Sequence, residues 1–250
     1  MENIFEWGFL LSQSFNVFLL VFSQYVNGLL VEYKNVKVNY TRKINHFLLF
    51  LIPIFLNQDL IHSENIGLFI LGAALAVFKF VFYIKPIRER VPFIKTMFNS
   101  FDRPEDRPHT LLWITSQTAV GYLVLIPMSL LFANNGLLEL VLIPIFIYSI
   151  GDGLAEPVGV YFGKHAYRVH ALFTKKKYTR TLEGSSVVFL TSIGVILFYH
   201  ASFSPGQFIV ALLTVPILMT LAEALSPHTW DSPTMFLVGY LTLFNIAYFV

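Results

Sequence analysis

Long apolar segments separated by short polar connections run through the whole chain. The pattern predicts eight membrane spans, at residues 7–31, 47–57, 65–84, 110–132, 137–163, 185–200, 207–226 and 233–250. A spanning helix needs roughly 20 apolar residues, so the short second and sixth segments and the acid-containing fifth fit this rule least well. Seven spans are the alternative. We expect an all-α integral membrane protein, a polytopic helical bundle that forms a single domain over residues 1–250.

The basic residues orient this predicted bundle. All but one of the 17 Lys and Arg residues fall in three alternate connections, 32–46, 85–109 and 164–184. The intervening connections, which include 57–64, contain none. Because short basic loops stay in the cytoplasm, we expect the three basic connections on the cytoplasmic side and both termini on the other side. Removing any one span would disrupt this alternation, so the alternation favours eight.

Composition agrees with a membrane location. Hydrophobic residues make up 56% of the chain and charged residues 13%, whereas soluble domains average about 25% charged residues. The chain has no cysteine, which excludes disulfides, thiolate metal sites and cysteine nucleophiles. A surface helix is also expected near residues 91–100. Its apolar side chains would lie on lipid, namely Phe93, Met97, Phe98 and Phe101.

Two carboxylates interrupt the fifth apolar segment, in the stretch GDGLAEPVGVYFGKH (residues 151–165). An ionised carboxylate inside a bilayer is costly, and such residues normally face a protein interior and mark a functional path. Asp152 and Glu156 are four residues apart and share a helix face if the helix continues. In the alternative, Gly151 and Gly153 break the helix around Asp152. A buried polar pair without chemistry is the other interpretation.

Small residues recur at every fourth position through the same stretch. They are Gly151, Ala155, Gly159 and Gly163. Such a row lets another helix approach closely. Simple helix packing is therefore one interpretation of the glycines, and space for a binding site is the other.

A basic stretch, KKKYTRTLEGSS (residues 175–186), follows the acids. Clustered cations beside glycine and hydroxyl groups suit phosphate, and the helix N-terminus that follows attracts anions. Mg²⁺ prefers a few carboxylates together with phosphate oxygens. Carboxylates that could hold it are Asp152, Glu156, Glu183, Glu223 and Asp231. Alternatively, Lys175–Lys177 only anchor the loop to anionic lipid.

Four blocks in this order resemble the CTP-dependent polyprenol kinase family, which includes dolichol kinase, phytol and farnesol kinases and CTP-dependent diacylglycerol kinase. The blocks are TRKINH, GDGLAEPVGVYFGKH, YTRTLEGSS and EALSPHTWDSPT, which together span residues 41–234. The sequences GDGLAEPVG and RPEDRPHTLLW most resemble those of the phytol and farnesol kinase branch. The chain departs from the family pattern at Arg180, where the family has Lys, and at Ser232, where it has Asn.

The resemblance implies a CTP-dependent lipid kinase. The enzyme would transfer the γ-phosphate of CTP, with Mg²⁺, to the hydroxyl of phytol, farnesol, geranylgeraniol or a longer polyprenol at the cytoplasmic membrane face, and no nucleic acid partner is expected. Predicted catalytic residues are Asp152, Glu156 and Glu183. Predicted metal ligands are Asp152, Glu156 and Glu223. Residues predicted to hold the nucleotide are Arg42, Lys43, Gly163, Lys164, Lys176, Lys177, Arg180, Thr181, Gly184, Ser185 and Asp231.

Three other functions remain open at this point. A cytidylyltransferase that makes a CDP-lipid would use the same metal and CTP but release pyrophosphate. A transporter or channel would use the intramembrane acids as ion sites, although the polar residues cluster at one predicted face. A scaffold without catalysis is the third.

Overall fold

The computed structural model of the chain describes residues 7–56 and 66–250. These residues are mostly helical and divide into two compact units, one ending at Leu111 and the other beginning at Leu112. The sequence predicts a single domain, and each of the two units has its own internal packing. The predicted connection 57–64 lies outside the described residues.

The first unit is built from helices and short 3₁₀ turns. Its helices in the described residues are α1 (Trp7–Lys34), α2 (Val38–Leu56), α3 (Ile66–Phe78), α4 (Lys85–Arg88) and α5 (Pro92–Asn99). The 3₁₀ turns are Lys79–Tyr83 and Pro104–Asp106. Gly28 of α1 lies against the backbone of Thr96 in α5, where a Cβ would overlap the Thr96 carbonyl group. The two helix backbones therefore approach closely at this point.

Helix α5 forms where the surface helix is predicted, but the prediction that its apolar side chains lie on lipid is wrong for most of them. The buried ones are Met97, Phe98 and Phe101. The guanidinium carbon of Arg88 lies 4.0 Å from the Phe98 ring centroid, and Phe98 and Phe101 both pack against Tyr83. An aromatic cluster within the unit thus covers this face. Phe93 remains exposed.

The second unit begins within α6 (Thr110–Asn134) and contains a small sheet among its helices. After α6 its longer helical segments are α7 (Leu142–Phe146), a π-helical segment (Ile147–Asp152), α8 (Gly153–Phe162), α9 (Leu182–Phe198), α10 (Pro205–Leu225) and α11 (Asp231–Phe249). Its 3₁₀ turns are Leu138–Val141 and His200–Ser202. Strands β1 (Ala166–His170) and β2 (Lys177–Thr181) pair antiparallel between α8 and α9. The all-α prediction did not include this hairpin.

Five helical segments of the described residues are long and apolar enough to cross a membrane. They are Gln13–Lys34, Thr110–Asn134, Leu138–Phe162, Pro205–Leu225 and Asp231–Phe249. Two shorter apolar helices, Ile70–Tyr83 and Leu182–Phe198, coincide with the third and sixth predicted spans. The second predicted span falls within α2, which begins at Val38 rather than at residue 47. The helices agree with a helical membrane protein, and the count of eight spans and their orientation stay predictions.

The row of small residues packs α8 against α9. A Cβ on Gly159 would lie 2.7 Å from the Thr181 Oγ1 atom. From the opposite helix, a Cβ on Gly184 would lie 2.8 Å from the carbonyl oxygen of Ala155. Real Cβ atoms do not approach other heavy atoms this closely, so both glycines are needed for the contact between α8 and the start of α9.

The helix that carries Asp152 does not break at Gly151 or Gly153. It widens into the π-helical segment, whose last residue is Asp152, and continues as α8. Single π turns within α-helices are rare and occur frequently at functional sites. The position of the π segment therefore draws attention to Asp152.

The close contact of α8 with α9 predicts opposite outcomes for two glycines of α9. Gly184→Ala should destabilise the protein by about 1–3 kcal/mol, because the added methyl group overpacks the contact with Ala155. Gly194→Ala should be neutral or stabilising by up to about 1 kcal/mol, since nothing lies within 4 Å of its Cβ position and alanine favours helix. The measurement is the thermal unfolding midpoint of the purified protein in detergent. Equal shifts in both variants would contradict the packing argument.

Candidate functional site

The hairpin between α8 and α9 has two chemically different faces. Its register places on the inner face Tyr167, Val169, Tyr178 and Arg180. The same register places on the outer, exposed face Arg168, His170, Lys177 and Thr179. The sequence prediction places this stretch in a connection between two spans, without strands. The alternation of apolar and polar residues in AYRVH and KYTRT is the signal that indicates strands.

The inner face of the hairpin docks on α6 and on the turn between α10 and α11. The rings of Tyr178 and His228 stack with centroids 3.7 Å apart and an interplanar angle of 6°. Trp113 meets the Tyr178 ring edge-on at 5.6 Å and is fully buried. The backbone N–H of His228 donates to the carbonyl oxygen of His170 at 2.7 Å. These contacts fix β2 relative to the ends of α10 and α11.

Three buried carboxylates meet at this end of the second unit. Asp152 ends the π segment, Glu223 lies in the last turn of α10, and Asp231 begins α11. One oxygen from each of the three lies within 4.8 Å of the others. Like charges this close repel strongly where the surroundings exclude water. The acid group, as we call these three residues, therefore needs positive charge nearby.

Arg180 supplies positive charge to the acid group. Its Nη1 donates to Glu223 Oε1 at 2.9 Å and to the Glu223 carbonyl oxygen, and its Nη2 donates to Asp231 Oδ1 at 2.5 Å. Burial lowers the pKa of Arg180, but Asp231 and Glu223 outweigh burial and raise that pKa. Arg180 is therefore charged at every physiological pH. With all three carboxyls ionised, the acid group and this one guanidinium together would carry two net negative charges.

Hydroxyl groups orient the acids from the other side. The Ser185 hydroxyl donates to Glu223 Oε2 at 2.8 Å and is hydrogen-bonded to the Tyr167 hydroxyl at 2.7 Å. Burial and the nearby Glu223 carboxylate raise the pKa of Tyr167, so its hydroxyl stays protonated. Tyr167 and Arg180 are cross-strand partners. One rung of the hairpin thus reaches both carboxylate oxygens of Glu223, directly through Arg180 and through Ser185 from Tyr167.

The acid group has the chemistry of a divalent cation site. Carboxylate oxygens are the ligands that Mg²⁺ takes in proteins, and two net negative charges match its charge. Of the predicted metal ligands, Asp152 and Glu223 belong to the group, and the third member is Asp231 rather than Glu156. Glu156 is half-buried in the first turn of α8 and lies about 6 Å farther along the helix axis than Asp152.

Glu183 makes a separate contact with His165 at the start of α9. Its carboxylate accepts a hydrogen bond from the His165 Nδ1 atom at 2.7 Å and from the His165 backbone N–H at 3.3 Å. Hydrogen bonds from its own backbone N–H and from the His165 side chain lower the pKa of Glu183 to about 2. A carboxylate with this pKa is a weak base at neutral pH. Glu183 therefore positions His165 and is poorly suited to accept a substrate proton.

The start of α9, predicted to hold phosphate, is occupied by the chain's own side chains. The Thr181 hydroxyl caps the helix by accepting from the Gly184 N–H at 3.2 Å, and the Glu183 carboxylate supplies the negative charge that a helix N-terminus favours. Gly163 packs on Thr181, whose Cγ2 atom would lie 2.6 Å from an added Cβ. These predicted nucleotide contacts have structural roles within the described residues.

The predicted lysines lie around the hairpin in different directions. Lys164, Lys176 and Lys177 are all exposed. The Lys176 amino group lies 4.9 Å from the centroid of the Tyr178 ring, whereas Lys177 belongs to the outer face, away from Arg180. Lys164 and Lys176 thus remain candidates for phosphate contact, and Lys177 does not share a face with Arg180.

Arg42 and Lys43 belong to the first unit. Arg42 Nη1 lies 3.7 Å from Asp106 Oδ2, and Lys43 is buried. On the same helix, the side chains of Thr41 and Asn45 each donate to Ser100 at 2.8 Å. The TRKINH block is therefore held by contacts within its own unit.

Three residues of the site are not among those predicted from the sequence. Ser226 donates to Asp231 Oδ1 at 2.5 Å and accepts from Arg180 at 3.0 Å, His228 docks the hairpin, and Tyr167 bonds Ser185. Ser226 and His228 lie inside the quoted block EALSPHTWDSPT. Their roles depend on the position of the hairpin, which that block does not indicate.

Comparisons of the chain with protein-family models, with curated proteins and with solved structures find no match in any of the three. The resemblance to polyprenol kinases therefore rests on the four blocks alone.

The acid group predicts a strong requirement for Arg180. Arg180→Gln should destabilise the protein by about 3–5 kcal/mol, because it leaves buried carboxylates without their counter-charge. The loss of stability caused by Arg180→Gln should be smaller at acidic pH, because protonated carboxyl groups no longer repel one another. The measurement is the unfolding midpoint as a function of pH.

The matched control for this prediction is Arg168→Gln on the outer face of the same hairpin. Its exposed side chain lies across the ladder from Thr179, so its removal should change stability by less than about 0.5 kcal/mol. Equal losses in the two variants would contradict the assignment of Arg180 as counter-ion.

Proposed function

We propose that the protein is a metal-dependent lipid kinase that transfers the γ-phosphate of CTP to the hydroxyl of an isoprenoid alcohol at the cytoplasmic membrane face. The observation that carries the proposal is the buried acid group with Arg180, placed where apolar helices end. Phosphoryl transfer needs mainly positioning and charge neutralisation. A membrane alcohol and a soluble nucleotide can meet only at the membrane boundary.

In this proposal Asp152, Glu223 and Asp231 would hold Mg²⁺. When bound, the metal neutralises charge on phosphate oxygens. Arg180 and Ser185 hold the Glu223 carboxylate from its two sides, so this ligand is in place before substrate arrives. Such preorganisation means that little rearrangement is needed during the reaction.

The remaining polar groups are assigned by their place around the acid group. Glu156, one helical turn from Asp152, is the carboxylate proposed to accept the proton of the alcohol. Lys164 and Lys176 are exposed bases at the two ends of the hairpin and are proposed to contact the nucleotide phosphates.

A groove between α10 and α11 is proposed to receive the hydrocarbon tail. It has a volume of about 410 Å³, and its wall includes Leu218 and Thr214. The Thr214 and Thr242 hydroxyls donate to carbonyl oxygens of their own helices at 2.7 Å, so the groove presents apolar atoms. Leu218 lies five residues before Glu223, about 8 Å along the helix. The groove thus lies on the helix that also carries Glu223.

Transfer of radioactive phosphate from CTP tests the function. The purified protein in lipid should move label from [γ-³²P]CTP, and not from [α-³²P]CTP, to phytol, farnesol or geranylgeraniol in the presence of Mg²⁺. Label from the α-position in the lipid product would instead identify a cytidylyltransferase. Absence of labelled lipid with any of these alcohols, dolichol or diacylglycerol, and with each of the four nucleotides, would refute the kinase.

The same assay tests the acid group. Asp152→Asn should lower kcat/KM by at least about 100-fold, because a charge that acts on the phosphoryl group is lost. The control is Glu139→Gln, since Glu139 is exposed, accepts a hydrogen bond from Ser202 at 3.1 Å and does not belong to the acid group. Full activity of Asp152→Asn with an unchanged unfolding midpoint would remove the acid group from the mechanism.

A bulky side chain in the groove tests the tail assignment. Thr214→Trp should lower kcat/KM for geranylgeraniol by about tenfold or more and spare a ten-carbon alcohol, because lost apolar contacts cost 1–3 kcal/mol. Leu213→Trp is the control, since Leu213 is exposed and does not line the groove. The same loss for short and long alcohols would place the tail elsewhere.

A further inference from the structure

The hairpin carries a concentrated positive charge. From Lys164 to Thr181 the sequence contains six Lys or Arg residues and no acidic residue. Arg180 is neutralised by the acid group. The other five are exposed and are Lys164, Arg168, Lys175, Lys176 and Lys177. No acidic side chain of the hairpin itself offsets this charge.

The strand register gathers much of the charge on the outer face. His170 pairs directly with Lys177, and Arg168 lies two residues earlier on the same face. Like charges on neighbouring positions of two strands repel, and Arg168 and Lys177 lie at diagonal positions on this face. The inner face already holds the hairpin through Tyr178. The outer face is therefore not needed for docking to the protein, and an anion on it would relieve the repulsion.

Exposed apolar side chains border this positive charge. Phe173, in the turn between the strands, is 63% exposed and adopts a φ of 64°. Tyr161 and Phe162 at the end of α8 and Leu182 at the start of α9 are also exposed. Aromatic and basic side chains together at the ends of apolar helices are typical of the membrane interface. A soluble polyanion would leave the apolar side chains in water, whereas a bilayer surface accommodates both kinds.

We propose that the outer-face residues Arg168, His170 and Lys177, together with Lys175 of the adjoining turn, dock on anionic lipid headgroups of the membrane that α8 and α9 enter; we call these four residues the basic hairpin face. Lys and Arg donate hydrogen bonds to the phosphate and carboxylate oxygens of such headgroups. Phe173 lies at the boundary between headgroups and acyl chains. The inference is independent of the proposed kinase activity, because it concerns the face of the hairpin opposite to Arg180.

A single fluorescent label tests this docking. The chain has no cysteine, so Thr179→Cys on the outer face takes one environment-sensitive fluorophore. The full-length labelled protein is placed in nanodiscs of phosphatidylcholine alone or with phosphatidylserine, each containing a lipid with a nitroxide on its headgroup. We expect strong quenching in the discs with phosphatidylserine at low salt, and loss of the quenching in 1 M NaCl, where the screening length is about 3 Å.

The double variant Arg168→Gln with Lys175→Gln provides the matched comparison. Each base near an anionic surface contributes about 1 kcal/mol, so the docked-to-undocked ratio should fall about fivefold per base. Both side chains are exposed, and an unchanged unfolding midpoint confirms that the hairpin is intact. If the double variant fails to fold, Lys175→Gln alone is compared with the parent.

Three outcomes would overturn the proposal. Equal quenching in the two kinds of nanodisc would mean that anionic headgroups do not hold this face. Quenching that is the same in the double variant and the parent would mean the same. If the fluorescence of the label changes on addition of CTP with Mg²⁺ in discs of phosphatidylcholine, but does not change with phosphatidylserine, the face binds a soluble nucleotide instead. The readout needs no catalytic turnover, so a failure of the kinase assay leaves the result unaffected.

Discussion

A buried carboxylate that stays ionised requires positive charge beside it, and the second unit is arranged around this requirement. The chain contains no Lys or Arg after Arg180, so neither α10 nor α11 can neutralise its own acids. The charge comes instead from a strand that lies earlier in the sequence. Breaking such a buried pair costs far more than its formation contributes, which makes the position of β2 a condition for the stability of the helix ends.

The hairpin meets this condition through a separation of its two faces. The inner face combines an aromatic contact, Tyr178 on His228, with an ionic one, Arg180 on Glu223 and Asp231. Apolar packing of Tyr178 on His228 holds β2 in place. The ion pairs of Arg180 form only when β2 is in that place. The outer face is left to interact with the surroundings. Site geometry and surface charge therefore belong to one small element.

The apolar pattern was sufficient to predict the helices, because a segment that must be buried or lipid-covered shows as a long apolar run. The pattern could not show whether an apolar side chain contacts lipid or packs against other side chains of the protein. Phe98 and Phe101 were expected on lipid and instead pack around Tyr83. Lipid and a protein interior are both favourable environments for an aromatic ring, and only the tertiary structure determines which one the ring occupies.

The candidate site was predictable in its residue types but not in its pairings. Costly acids near a membrane pointed to Asp152, and a cluster of bases suggested a phosphate contact for Arg180. The partners of Arg180 lie 43 and 51 residues away, and their meeting depends on a hairpin whose short strands were hidden in a basic stretch. Local sequence indicates that burying a charged group is unfavourable. Which residue neutralises that charge depends on contacts between distant parts of the chain.

The alternation of the two hairpin faces restricts how the chain can vary in length. A shift of one residue in the pairing of a strand moves every side chain to the opposite face. Such a slip in β2 would turn Arg180 toward the surroundings and bring a threonine to the acid group, although the backbone ladder could still form. Changes in length are thus compatible with the acids only in the turn that carries Phe173, outside the paired residues. The spacing from Tyr178 to Arg180 is fixed by charge, and the turn is where natural variants of the chain can differ.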